Sequence, residues 1–225
     1  LAHIFRVKRR EIERQLTMLE ERDTYRFYCG GLQLYGPLRP EVIRLARDIV
    51  DRLSSRGREN KDAAMVDATE FASRARTELD YYKSVYPKAA GKVEIRTDIV
   101  GLMVSGDTLL MGTEFRVPES RAEALLHHEV GTHMLTWFNG RAQPFRQLYV
   151  GLRGYEELQE GLAVLSEYLV GGLSASRLRL LAGRVVAAQS LIEGASFIET
   201  FRLLHSEKGF EARTAFTITT RIYRG

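Results

Sequence analysis

The stretch His127-His128-Glu129-Val130-Gly131-Thr132-His133 decides how this chain is read. Its core is His-Glu-x-x-x-His. Imidazoles close together in a helix offer neutral nitrogen ligands to a zinc ion. A glutamate directly after the first ligand points away from it and can take a proton from a metal-activated water. In the common zincin spacing the histidines are four apart; here His128 and His133 are five apart. On an ideal α-helix five residues turn through about 500°, which leaves the rings about 140° out of register. One extra residue in the turn, a π-bulge, restores a shared face, and such bulges concentrate at functional sites. Gly131 sits inside the spacer with no side chain to oppose the distortion. A local widening between Glu129 and His133 is therefore expected. His127, six residues from His133, is assigned to a packing or supporting role.

Working outward, the histidines lie on an apolar-periodic helix from Arg121 to about Phe138, entered through Pro118-Glu119-Ser120 and stopped by Asn139-Gly140. The next helix, about 155–170, carries Glu156, Glu160 and Glu167 on one face at offsets of four and seven. Glu160 is chosen as the third ligand because Gly161 and Ala163 beside it are small and allow close helix approach. Glu156 and Glu167 are candidates to orient an imidazole through its other nitrogen.

Before the histidine helix the pattern changes period. Lys92 to Arg96 alternates as a half-buried strand. Gly101 to Val104 and Thr108 to Met111 flank Ser105-Gly106-Asp107 as a hairpin, and Glu114 to Val117 adds a short strand. Residues 1–22 read as a surface helix with Ile4, Val7, Ile12, Leu16 and Leu19 at helical spacing, and 23–37 as a connecting loop broken by Cys29-Gly30-Gly31 and Gly36-Pro37. A helix follows from Pro40 to Leu53, then a turn over 54–61 and a helix over 62–85. Beyond 174 the chain reads as helices 174–190 and 192–206, with 212–223 open between strand and helix. The fold class is α+β and mainly helical, with a small sheet before the histidine helix. The expected division is an N-terminal helical region, 1–90, and a zinc-binding catalytic region, 91–225.

Composition bounds the rest. The 225 residues are 44% hydrophobic and 28% charged with a net charge of +4, ordinary for a globular protein. The basic residues are interleaved with acidic ones, which argues against a nucleic-acid partner. The single cysteine, Cys29, allows no intrachain disulfide; a reducing, cytoplasmic compartment is the expectation. No run approaches the ~18 apolar residues of a membrane helix. His3 and His205 are read as structural. The chain opens on Leu1 and stops at Gly225, and is read as a piece of a longer protein.

His128 to His133, taken with Gln159-Glu160-Gly161-Leu162-Ala163, resembles the QEGLA-motif proteins, bacterial proteins labelled flavohemoglobin expression-modulating, which are similar to the microtubule-associated tyrosine carboxypeptidases of animals. Asn139 to Pro144, Gly151 to Gly154, Glu167 to Leu173 and Arg221 to Gly225 extend the match, which runs from about Val93 to the end. The resemblance implies a zincin fold of the gluzincin type, with one Zn2+ held by His128, His133 and Glu160 and with Glu129 as the base. It implies hydrolysis at the C-terminus of a peptide or protein, with release of a C-terminal, tyrosine or other aromatic residue. Arg221 and Arg224 are the candidate cations for the terminal carboxylate, and Tyr223 a candidate donor to the oxyanion. Two other readings stand beside this one. One is a regulatory or binding protein that keeps a zinc site; the other is a zinc hydrolase of a non-peptide amide.

Overall fold

The computed structural model describes residues 2–22, 24–53 and 64–224. It is mainly helical with two small sheets, the α+β class expected. The expected turn over 54–61 lies outside the described residues. By contacts the chain divides into two units, Leu1–Lys8 with Asn60–Leu173, and Arg9–Glu59 with Ser174–Gly225.

The first unit holds the histidine helix. Strand β1 (Met65–Asp67) leads into helix α4 (Ala68–Val85); helices α1 (Ala2–Glu20), α2 (Tyr25–Tyr35) and α3 (Pro40–Arg52) precede them. The sequence reading began this helix at 62, but Asp67 is its N-cap and accepts from the Glu70 amide at 2.9 Å. That bond satisfies an amide the first turn leaves bare, so the residues before it are released to form a strand. Strands β2 (Lys92–Arg96), β3 (Leu102–Ser105) and β4 (Thr108–Gly112) form a sheet in the order β2-β4-β3. The hairpin β3–β4 is antiparallel as its turn residues required, while β2 runs parallel to β4. Strand β5 (Arg116–Pro118) pairs instead with β1, in antiparallel register. Val66, Phe71, Ala72, Ala75, Leu109, Met111, Val130 and Met134 are buried together as the core of this unit. The core thus joins α4, β4 and the turn that carries the histidines, which fixes that turn against a rigid backing.

Helix α5 (Glu119–His128) passes without a break into a π-helical segment (Glu129–Met134) and then into α6 (Leu135–Ala142). The expected stop at Asn139-Gly140 does not occur. Gly140 is there because a β-carbon would lie 2.4 Å from the Leu148 carbonyl oxygen of the short helix α7 (Gln147–Val150). Helix α8 (Tyr155–Leu169) then packs along α5 and the π-helical segment.

Among its described residues the second unit holds helices and no strand. Residues 23–37 contain helix α2 (Tyr25–Tyr35) rather than a loop. Gly30 marks a close approach, not a break: a β-carbon would sit 2.5 Å from Met18 Cγ of α1 (Ala2–Glu20). The break is at Gly36, with φ 80°. Along α1 the periodic residues Ile4, Ile12, Leu16 and Leu19 are exposed, while Glu11 and Met18 are buried. Helix α3 (Pro40–Arg52) lies on α9 (Ala175–Ile192), and the core joins Ala46 and Val50 to Val186, Ala187, Leu204 and Ile218. Helix α10 (Phe197–Arg202), opened by a Ser196–Glu199 capping box, runs into a second π-helical segment (Leu203–Glu207). The ambiguous tail is helix α11 (Ala212–Tyr223). Its buried Ala215, Ile218 and Thr219 recur at helical spacing, so packing overrides the strand propensity of its threonines.

Candidate metal centre

The π-helical segment is the device that the five-residue spacing required. With one more residue in the turn, His128 and His133 come onto one side, and their ring centroids are 5.0 Å apart at 74°. Gly131 lies in the widened turn; a β-carbon there would stand 3.2 Å from His127 Nδ1. Thr132 also serves the distortion. Its hydroxyl is 3.0 Å from the His127 carbonyl, five residues back, and 3.2 Å from Ser166 Oγ on α8. That hydroxyl meets an acceptor at the seam between the α- and π-patterns of bonding and ties it to the neighbouring helix. Nothing in the linear pattern marked Thr132 for this role.

Glu160 of α8 faces both rings. Its carboxylate oxygens lie 3.9 Å from His128 Nε2 and 3.5 Å from His133 Nε2. The three ligand atoms lie within 4.8 Å of one another, a grouping that can hold a metal ion. Zinc with ligands at about 2.0–2.2 Å holds them roughly 3.3–3.6 Å apart on a tetrahedron. The cluster is therefore near the size that a small divalent ion demands. The Glu160 side chain is 65% exposed while the imidazoles are mostly buried. One side of the cluster is thus open, as a site with a vacant coordination position needs.

His128 is held from behind. Its Nδ1 donates to Glu167 Oε1 at 2.8 Å, and Glu167 is fully buried. This bond puts the ring proton on Nδ1 and leaves the Nε2 lone pair facing Glu160. Burial pushes His128 below the ordinary histidine range, and the neighbouring His133 adds to this against the pull of Glu167 and Glu160. The neutral, ligating form is favoured. The other Glu167 oxygen accepts from Arg121 at 2.9 Å, and Arg121 also donates to the Gly172 carbonyl at 2.5 Å. Arg121 escaped the sequence reading, although it stands seven residues before His128 and so on the same helical face.

Glu129 opens the π-helical segment beside His128 and is half-buried. Glu156 is exposed and takes no part in the cluster. Gly161 does not serve a close helix approach, because a β-carbon there would meet nothing within 4 Å. It lines a surface groove with Gly154, Glu157, Leu158, Leu162 and Leu165. His205 bonds the Phe210 carbonyl at 2.8 Å in the second unit, a structural role. Arg221, Tyr223 and Arg224 belong to the second unit, at the end of α11. The Tyr223 hydroxyl donates to the Ala195 carbonyl at 2.5 Å and lies 2.8 Å from Thr200 Oγ1. Among the described residues no helix is long and apolar enough to cross a membrane.

A family model described as microtubule-associated tyrosine carboxypeptidase matches residues 1–225. Neither the curated proteins nor the solved structures yield a match.

Proposed function

The chain belongs to the microtubule-associated tyrosine carboxypeptidase family, and on that premise we propose that it is a zinc-dependent metallocarboxypeptidase of gluzincin type. The observation that carries this reading is the convergence of His128, His133 and Glu160 across the π-helical segment, with the open side at Glu160. Two imidazoles and a carboxylate suit zinc, and a structural zinc site would be closed and usually rich in cysteine. This set has no cysteine, which favours an enzyme over a binding protein that keeps a structural ion. Zinc, when bound, lowers the pKa of its water and polarises the scissile carbonyl.

The chain's own residues supply the rest. Glu129, the residue after His128 and so on a different side of the helix from that ligand, takes the proton from the attacking water and later gives it to the leaving amine. Glu167 keeps the His128 proton on Nδ1. Strand β3 is an edge of its sheet and packs near the π-helical segment, so a substrate segment can add to it as a further strand. The substrate is a peptide or protein C-terminus, and its last residue, tyrosine or another aromatic, is the product. Arg221 and Arg224, the candidates from the sequence for the substrate carboxylate, belong to the second unit. Tyr223, the candidate oxyanion donor, is in the same unit and already donates to the Ala195 carbonyl.

Glu129→Gln is the test. The variant keeps about one zinc per chain and loses activity by a factor of about 10²–10⁴, read by mass spectrometry as loss of single C-terminal residues from a peptide library. Equal turnover in wild type and variant removes the base. Cleavage within the peptides removes the carboxypeptidase assignment, and hydrolysis of simple amides without peptides would favour the non-peptide alternative.

A further inference from the structure

A C-terminal exopeptidase needs a cation for the terminal carboxylate, and the first unit offers one in Arg141, inside the stretch Asn139 to Pro144. Arg141 stands on α6, eight residues after His133, with Trp137 midway. Spacings of four and eight keep the three on one side of the helix. The Arg141 guanidinium carbon lies 5.4 Å from the Trp137 ring centroid and 4.8 Å from that of Tyr149. The two rings are 6.3 Å apart at 64°. Trp137 is itself backed by the β3–β4 turn, where a β-carbon on Gly106 would come within 3.7 Å of the indole. The guanidinium is therefore positioned in advance by two aromatic neighbours.

Stacking occupies the faces of a guanidinium and leaves its edge N–H donors available to a carboxylate fork. Among the described residues, no carboxylate forms an ion pair with Arg141. Its side chain leans back along the helix toward Trp137, and so toward the turn that carries His133. In a substrate the terminal carboxylate stands one residue beyond the scissile bond, so a cation for it has to lie on the same side of the cluster.

Resting on the carboxypeptidase reading, we infer that Arg141, held between Trp137 and Tyr149, binds the terminal carboxylate of the substrate. The ligand class is a peptide with a free α-carboxylate, and its aromatic last residue would lie against the same two rings.

Trp137 is the only tryptophan of the chain, so its fluorescence reports on this place directly. The zinc-loaded full chain carrying Glu129→Gln is titrated with one tryptophan-free peptide ending in tyrosine, as the free acid and as the C-terminal amide. The free acid should bind at least about tenfold more tightly, the scale of a bidentate arginine–carboxylate bond. Adding Arg141→Gln should bring the two peptides to equal affinity. Arg141→Lys, which keeps the charge without the fork, should retain part of the difference and serves if the glutamine variant fails to fold. A merely structural arginine at the end of α6 would lower the unfolding midpoint and leave the acid-to-amide ratio unchanged. An unchanged ratio in both Arg141 variants, equal binding in the Glu129→Gln parent, or loss of the ratio in Arg221→Gln or Arg224→Gln instead overturns the assignment. Turnover by the wild type decides the enzyme reading separately, since this comparison measures binding alone.

Discussion

Replacing Glu167 by glutamine changes one atom of the site and forces a choice that the native carboxylate avoids. The carboxylate accepts from His128 Nδ1 at 2.8 Å and from Arg121 at 2.9 Å with no exposure to solvent. An amide has only one oxygen. If that oxygen faces Arg121, the NH2 group meets Nδ1 and drives the ring proton to Nε2, where the metal lone pair is needed. Disturbing such an orienting partner costs about 10–100-fold in metal affinity, or about 1.4–2.8 kcal/mol. If the oxygen faces His128, donor meets donor at Arg121, whose side chain is only 21% exposed. The lost charge-assisted bond then costs about 1.5–3 kcal/mol of folding stability. Either orientation incurs one of these losses, so their sum is the quantity to measure. Urea unfolding of the metal-free protein gives the stability part, and competition with a chelator gives zinc affinity. The summed loss should reach at least about 1.5 kcal/mol. A variant matching wild type in both, within about 0.5 kcal/mol, the range of ordinary surface changes, would refute the proposed hold on His128.

Two further predictions follow from the neighbourhood of this pair. Gly172→Ala would place a β-carbon 2.2 Å from Ala124 Cβ, so it should lower stability by about 1–3 kcal/mol; Gly161→Ala, which meets nothing, should be neutral or stabilise by up to about 1 kcal/mol, and similar melting temperatures for both would contradict the packing of the turn after α8 on α5. Glu119 at the start of α5 is held below the usual carboxylate range chiefly by hydrogen bonds from Arg74, at 2.8 and 2.9 Å. Its stabilising effect is therefore complete above the ordinary glutamate pKa and is lost as pH falls through the lowered folded value, so Glu119→Gln should flatten stability against pH in that acid window, and an unchanged slope would count against the tie.

The candidate metal grouping was legible because two of its three residues are local. His128, Glu129 and His133 fall within six positions, and the phase error of their spacing called for the widened turn that the structure contains. Glu160 and Glu167 were readable as one face of the next helix, since periodicity reports which residues share a side. What periodicity cannot report is who stands opposite. Arg121 and Thr132 act across helices, and their partners on α8 and beyond are more than thirty positions away. The same limit explains the second helix: Gly30 reads as a break until Met18 is seen pressed against it. Gly161 is the converse, a small residue read as a packing contact that faces open space.

The π-helical segment has a consequence for chain length along this rod. It stores its surplus residue within a single turn, so the helix before it and the helix after it stay in phase. Arg121 and His128 on one side of the seam, and His133, Trp137 and Arg141 on the other, therefore form one unbroken ridge. Loss of one residue from that turn would tighten it to ordinary winding and leave the ridge aligned. The same loss anywhere else along the rod would twist the two halves about 100° apart. The seam is the one place where this helix can change length and keep its meaning.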